Sequence, residues 1–172
     1  MKKILLIYGL NCSGKSTFCD YICEKYNAVF LHIRRFFKSK YPIELYRKML
    51  SEHGNSYWLD FISDDLSEYK KHDLLIIEGF FTMDEAAWCN NFFDADIHII
   101  YIESDVHVRI DRRRKRENID RENAEKEIAA SDEYRISRGL FSVKENAGVV
   151  LENDKGEMNF KKQIGVYLDK IC

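Results

Sequence analysis

The sequence has almost no proline, one residue in 172, and only 8 glycines, which leaves no room for a linker or a low-complexity tract. It carries little excess charge. A formal net charge of −2 argues against nucleic-acid binding driven by overall charge, although a local basic groove stays compatible with it. No apolar run approaches the ~18 residues that a membrane span needs. The opening MKKILLIYGL sets two lysines before an apolar stretch, but residues 4–8 are too short for a signal-peptide core and no small-residue cleavage site follows. A buried first strand is the expectation. Cys12, Cys19, Cys23, Cys89 and Cys172 are odd in number and lack zinc-type spacing, so reduced thiols, no disulfide, no structural metal and a cytoplasmic location are expected.

What is present is an ordinary globular balance, 45% hydrophobic and 33% charged, in a chain long enough for one domain with a sizeable core. Short apolar runs alternate with helical periodicity, the pattern of a parallel sheet covered by helices. Strands are predicted at Lys3–Tyr8, 28–33, 73–78, 97–102 and 148–151. Helices are predicted over 16–26, over most of 34–71 with breaks near Pro42 and 53–55, over Met83–Phe93, after an N-cap at Ser104, and at the C-terminus. There Phe160, Ile164, Tyr167, Leu168 and Ile171 share one face. The expected fold is a three-layer α/β P-loop domain with a five-stranded parallel sheet in the order 2-3-1-4-5.

Gly9, Leu10, Asn11, Cys12, Ser13, Gly14, Lys15, Ser16 and Thr17 match G-x-x-x-x-G-K-[ST] in full. The glycines let the backbone turn its N–H groups inward, and the helix that follows presents further unpaired donors to an anion. Lys15 is placed for the β/γ-phosphates and the Ser16 hydroxyl for Mg²⁺. Chance produces such a match in below about one chain in a hundred of this length. Here it also follows an apolar strand and opens an amphipathic helix, the context the motif demands. Bound ATP and Mg²⁺ are therefore expected.

Glu78 closes the run DLLIIE at the carboxyl end of a strand, where it can hold Mg²⁺ through water, hold part of an acceptor, or sit solvated at the surface. Arg109, Arg112, Arg113 and Arg116 recur at i, i+3, i+4 and i+7 on one helical face. Four like charges repel unless something answers them. A triphosphate, nearby acids (Glu103, Asp105, Glu117, Asp120, Glu122) and a nucleic acid all fit. The aromatic residues Tyr57, Trp58, Phe61, Phe80, Phe81 and Trp88 suit core packing or an acceptor base, with Phe80 and Phe81 the better placed for contact.

These pieces resemble the P-loop nucleoside-monophosphate-kinase and dephospho-CoA-kinase group over nearly the whole chain, and within it a branch of small predicted nucleotide kinases. The matching segments are GLNCSGKST, GNSYW, LLIIEGFFTMDEA, IHIIYIESDVHVRIDRRRKREN, SDEYRISRGL and VVLENDKGEMNFKKQI. The resemblance implies acceptor-binding helices at about 34–72 and a lid at about 112–138, with Arg109, Arg112 and Arg116 around the phosphates and Asp132 on the returning arm. It places Asn153 and Asp154 near the adenine.

Two departures stand out. The group often has an aspartate after strand two that orients or deprotonates an acceptor hydroxyl, and here the stretch is His32-Ile33-Arg34-Arg35-Phe36. Arg34 and Arg35 suit a phosphate acceptor, which is already anionic and needs mainly positioning. His32 is either a base or a packed residue. Ser131 also stands where a lid arginine is expected, with Arg135 one turn on as a substitute. The implied reaction is transfer of the ATP γ-phosphoryl group to a small, nucleotide-like acceptor by a monomer or homodimer. A hydroxyl acceptor and a partner-regulated ATPase are the alternatives.

Overall fold

A computed structural model describes residues 2–171, so Cys172 lies outside the described residues. The five strands are β1 (Lys3–Tyr8), β2 (Val29–His32), β3 (Leu74–Glu78), β4 (Asp96–Glu103) and β5 (Val149–Glu152). All pair in parallel, in the order β2-β3-β1-β4-β5. Residues 4–8 and 75–77 are buried, as strands covered on both faces must be.

Alternation along β1 divides the core in two. Ile4, Leu6 and Tyr8 face one side, where they pack with Leu31, Ile77, Phe37, Trp58 and Cys89. Leu5 and Ile7 face the other side, with Phe18, Ile22, Phe160, Ile164 and Leu168. Helices α1 (Lys15–Tyr26) and α10 (Glu157–Ile171) cover this second face. The first face is covered by α2 (Ile33–Lys40), α3 (Ile43–His53), α4 (Tyr57–Phe61), α5 (Ser63–Leu66), α6 (Met83–Phe93) and α9 (Leu140–Glu145), with a 3₁₀ turn at Ser67–Lys71. Helix α9, under two turns long, leaves no periodic trace in the sequence.

Helices α7 (Val106–Glu117) and α8 (Arg121–Ser137) stand apart on their own small core of Ile110, Ala124 and Ile128, with Cys12 packed against it. Helices α7 and α8 are therefore tied to the loop after β1 by apolar contact as well as by charge. Two expectations are corrected. The second strand stops at His32 because the His32 side chain caps α2, so Ile33 is helical. Asp105, not Ser104, caps α7, accepting from the His107 N–H at 2.7 Å. The Ser104 hydroxyl turns instead to Asp154 Oδ1 at 2.7 Å.

Candidate active site

Residues 9–17 join β1 to α1 at the carboxyl edge of the sheet. Gly14 sits at φ 109°, and a Cβ there would fall 2.0 Å from Asn153 Nδ2, so any side chain collides with the turn after β5. Helix α1 has no side-chain cap and no acid in its first turn. Its leading N–H groups are left for an anion. Lys15 is buried, donating from Nζ to Leu10 O at 2.9 Å, with Glu78 Oε1 at 3.9 Å. Burial lowers its pKa to about 8; the charge of Arg135 adds to the effect and Glu78 opposes it.

A cavity of about 590 Å³ opens over this loop. Asn11, Cys12, Gly14, Lys15, Ser16 and Thr17 form its floor, and Glu78, Arg112, Arg116 and Arg135 stand around it. A second cavity of about 460 Å³ adjoins it, walled by α2, α3, Phe81 and Tyr134. His32, Arg35 and Arg135 line both. Register explains the meeting point: His32 ends β2 directly opposite Glu78 at the end of β3.

The arginine face resolves into distinct duties. Arg109 is buried and gives both terminal nitrogens to Asp132, at 2.9 and 2.7 Å, with Nε on Ser104 O and Nη1 also near Asn11 O. It lies behind the loop, outside the cavity lining, and fixes α8 to it. Arg112 bonds the carbonyls of Cys12 and Ser13 from Nη1 and that of Asn153 from Nη2, while still lining the cavity. Arg113 turns away to Glu127 and Glu117, and Arg116 lines the cavity while paired with Glu117 at 3.0 Å. Arg135, with Nε on Ser131 Oγ and its guanidinium 4.9 Å above the Phe81 ring, points a cation to the junction of the cavities.

The remaining sequence candidates fall in three places. Gly9 and buried Ser13 belong to the loop's frame. Asn153 donates to Ser13 O at 2.8 Å and Asp154 accepts from Ser104 Oγ and Asp105 N, so both brace the loop from the β5 side. Arg34, expected to clamp an acceptor phosphate, lines the second cavity, but its Nη2 is paired with fully buried Glu85 at 3.0 Å and its Nε donates to Gly79 O. Glu85 also closes a capping box at Thr82. Lys38 and Arg47, on the same cavity wall, escaped sequence reasoning because α3 folds back on α2 only in three dimensions. Among the aromatic residues, Trp58 is core, Phe80 packs on it, and Phe81 lines the cavity.

The residues present fit ATP and Mg²⁺. The backbone cradle, inward Lys15 and the Arg112–Arg135 cations suit a triphosphate, and Ser16 and Glu78 line the same space. The described residues contain no cluster of three or more acid, histidine or cysteine ligands. Mg²⁺ binds through one or two protein groups plus substrate phosphates and water, and the Ser16 hydroxyl and Glu78 carboxylate are donors of that kind.

No curated protein sequence matches the chain. Solved structures with this fold include an uncharacterized protein from Eubacterium ventriosum (16% identity, 98% of this chain and 99% of that one, TM-score 0.68). A shikimate kinase from Acinetobacter baumannii, in complex with shikimate, has 18% identity, covers 99% of this chain and 93% of its own, and has a TM-score of 0.57. A gluconokinase from Sinorhizobium meliloti has 14% identity, 98% and 93% coverage and a TM-score of 0.58. The family model described as AAA domain matches residues 5–130, which take in the anion-binding loop, Glu78 and all of α7. The chain thus belongs to the AAA domain family, with the five-stranded parallel fold shared by P-loop kinases.

Proposed function

We propose that the protein transfers the γ-phosphoryl group of ATP to a small anionic acceptor, preferably a nucleoside monophosphate. One observation carries the reading: the cavity over the glycine-rich loop and a second, basic cavity meet at His32, Arg35 and Arg135. The second cavity has Arg35, Lys38, Arg47 and Arg135 in its wall and no acidic residue. None of these four side chains forms a close ion pair among the described residues, although Glu78 and Asp132 favour the charge of Arg135 at longer range. Phe81, Tyr46 and Tyr134 in the same wall offer ring faces to a planar or apolar body.

In this reading residues 11–16 and Lys15 hold the donor phosphates, and Ser16 with Glu78 holds Mg²⁺, which when bound neutralises phosphate charge. Arg112, Arg116 and Arg135 face the charge that develops on the transferring group. Arg109 acts through Asp132, keeping α8 and hence Arg135 in place. Segment 34–72 forms the acceptor side and 112–138 the lid, whose closure excludes competing water. Asn153 and Asp154 shape the donor end.

A hydroxyl acceptor is the second reading, supported by the fold likeness to a shikimate kinase and a gluconokinase. ADP release from ATP–Mg²⁺ against nucleoside monophosphates, nucleosides, hydroxy acids and dephospho-CoA separates the readings, with Lys15→Met as the blank. Acceptor-independent release in the wild type, at equal rate throughout the panel, would leave an ATPase instead of a kinase.

A further inference from the structure

Arg135 is the cation that α8 supplies to both cavities, and it is held differently from the arginines that build the fold. Arg34, Arg109 and Arg113 are fixed by carboxylates, which answer their charge as they set their place. Arg135 makes no close ion pair among the described residues. Its Nε donates to Ser131 Oγ, one turn back on α8, at 3.4 Å, and its guanidinium lies 4.9 Å from the centroid of the Phe81 ring. Glu78 and Asp132 favour its charge from longer range. An aromatic face attracts a cation through the ring quadrupole and brings no negative charge of its own. The ring can therefore fix this side chain while its charge stays available to a ligand.

The ring is itself held firmly. Phe81 follows β3 by three residues, and its backbone N–H donates to Glu85 Oε2 at 2.6 Å. Glu85, fully buried, also pairs with Arg34 at 3.0 Å, and the Arg34 guanidinium lies 3.9 Å from the centroid of the same ring. One buried carboxylate thus anchors both the backbone of Phe81 and a cation packed against its side chain. Tyr134 meets the ring edge-on, with centroids 5.8 Å apart. Tyr134 and Arg135 are consecutive on α8, so Phe81 receives two neighbouring side chains of that helix. With the ring 6% exposed, its attraction for a guanidinium is stronger than at an open surface.

Resting on the phosphotransfer reading above, we propose that Phe81 is a positioning residue for the reaction: its ring holds the Arg135 guanidinium, with no close counter-charge, at the junction of the two cavities, where the phosphoryl group passes from donor to acceptor. In that step an ionised acceptor oxygen bonds to the γ-phosphorus while the bond from that phosphorus to the β–γ bridging oxygen breaks, and the electron pair leaves on ADP. Phe81 takes no part in those bonds and acts through Arg135.

Leucine at position 81 would open a gap as well as remove the ring, so the test uses rings of nearly the same shape. Mono- to pentafluorophenylalanine, incorporated at position 81, progressively drains negative charge from the ring face. The kcat for a nucleoside monophosphate is expected to fall along the series, by about 5- to 30-fold at the pentafluoro ring, with the KM for ATP unchanged; Phe81→Tyr should keep most of the activity. In an Arg135→Ala background the series should be flat. A kcat that ignores fluorination would overturn the proposal. So would an equal slope with alanine at 135, which would trace the effect to Arg34 or to packing. The contact is also read without any acceptor: the Arg135 Nε–H resonance, assigned by its loss in Arg135→Ala, is expected to move along the fluorinated series, and an unmoved resonance would overturn the proposal whatever the kinetics. A moving resonance in a protein that transfers phosphate to no acceptor would instead sink the phosphotransfer reading, and the positioning role with it, while the contact itself stood.

Discussion

Replacing Lys15 by methionine is expected to stabilise the empty protein while abolishing its ability to bind ATP productively. Lys15 is held with its pKa near 8 against an ordinary 10.5, chiefly by burial and secondarily by Arg135. The folded state therefore holds a charged ammonium at a cost. At about 1.4 kcal/mol per pKa unit, the cost at neutral pH has a ceiling of about 3 kcal/mol. The opposing attraction of Glu78 is already contained in that shift, but methionine also leaves the Leu10 carbonyl without its donor, which takes back part of the gain. A net stabilisation of about 1–2 kcal/mol remains, or about 3–6 °C in Tm for a domain of this size. The sign follows from linkage. The folded pKa lies below the unfolded one, so the penalty is full below about 8 and fades as pH rises from about 8 toward 10.5. Thermal unfolding of wild type and variant, at neutral pH and near pH 10, measures both the gain and its decay. ATP–Mg²⁺ should raise the Tm of the wild type only, because the ligand restores a counter-charge to the ammonium. A variant melting below the wild type at neutral pH, or a gain that persists undiminished near pH 10, would refute the view that Lys15 is poised by desolvation for an incoming phosphate.

Three further substitutions probe the frame around that lysine. Gly14→Ala combines a left-handed φ of 109° with a Cβ 2.0 Å from Asn153 Nδ2, so ATP binding should be lost; adding Asn153→Ala relieves the clash but not the backbone strain, and equilibrium binding should recover only in part. Glu85→Ala strands Arg34 beneath the second cavity and is expected to cost about 3–5 kcal/mol in denaturant unfolding, far more than the same change at exposed Glu127. Arg135→Ala should leave Tm nearly unchanged and lower kcat by about 1,000-fold or more, if its charge meets the transferring group; a change confined to the KM for the acceptor would move Arg135 to the acceptor side.

Much of the molecule is legible in local sequence because much of it is set locally. Runs such as LLIIE are buried on both faces, so they are apolar throughout and announce strands of a parallel sheet. The loop of residues 9–17 is read from its own residues, since its function depends on backbone geometry and one adjacent lysine. The arginines are another matter. Periodicity puts Arg109, Arg112, Arg113 and Arg116 on a common face, but what each one does is decided by partners that folding supplies. Asp132, 23 residues on, absorbs Arg109, and Glu85, 51 residues on, absorbs Arg34. His32 reads as the end of a strand because its hydrogen bond to the Arg35 N–H, which makes it a cap, leaves no trace in hydrophobic pattern.

The same pairing gives a physical criterion for which cations build and which bind. Arg34, Arg109 and Arg113, none of them exposed, each meet a carboxylate at 3.0 Å or less, and their charge is already answered within the protein; Arg116 is also paired, with Glu117 at 3.0 Å, but is exposed and still lines the cavity over the loop. Arg35, Lys38, Arg47 and Arg135 gather on one cavity with no acid in its wall; the first three are exposed, and Glu78 and Asp132 act on Arg135 from outside that wall. A ligand that brings negative charge is drawn to such a wall. A neutral polyol would use none of this charge and a single carboxylate little of it. On the proposed function, the basic wall of the second cavity suits a multiply ionised acceptor, since only such a ligand would engage several of these cations at once.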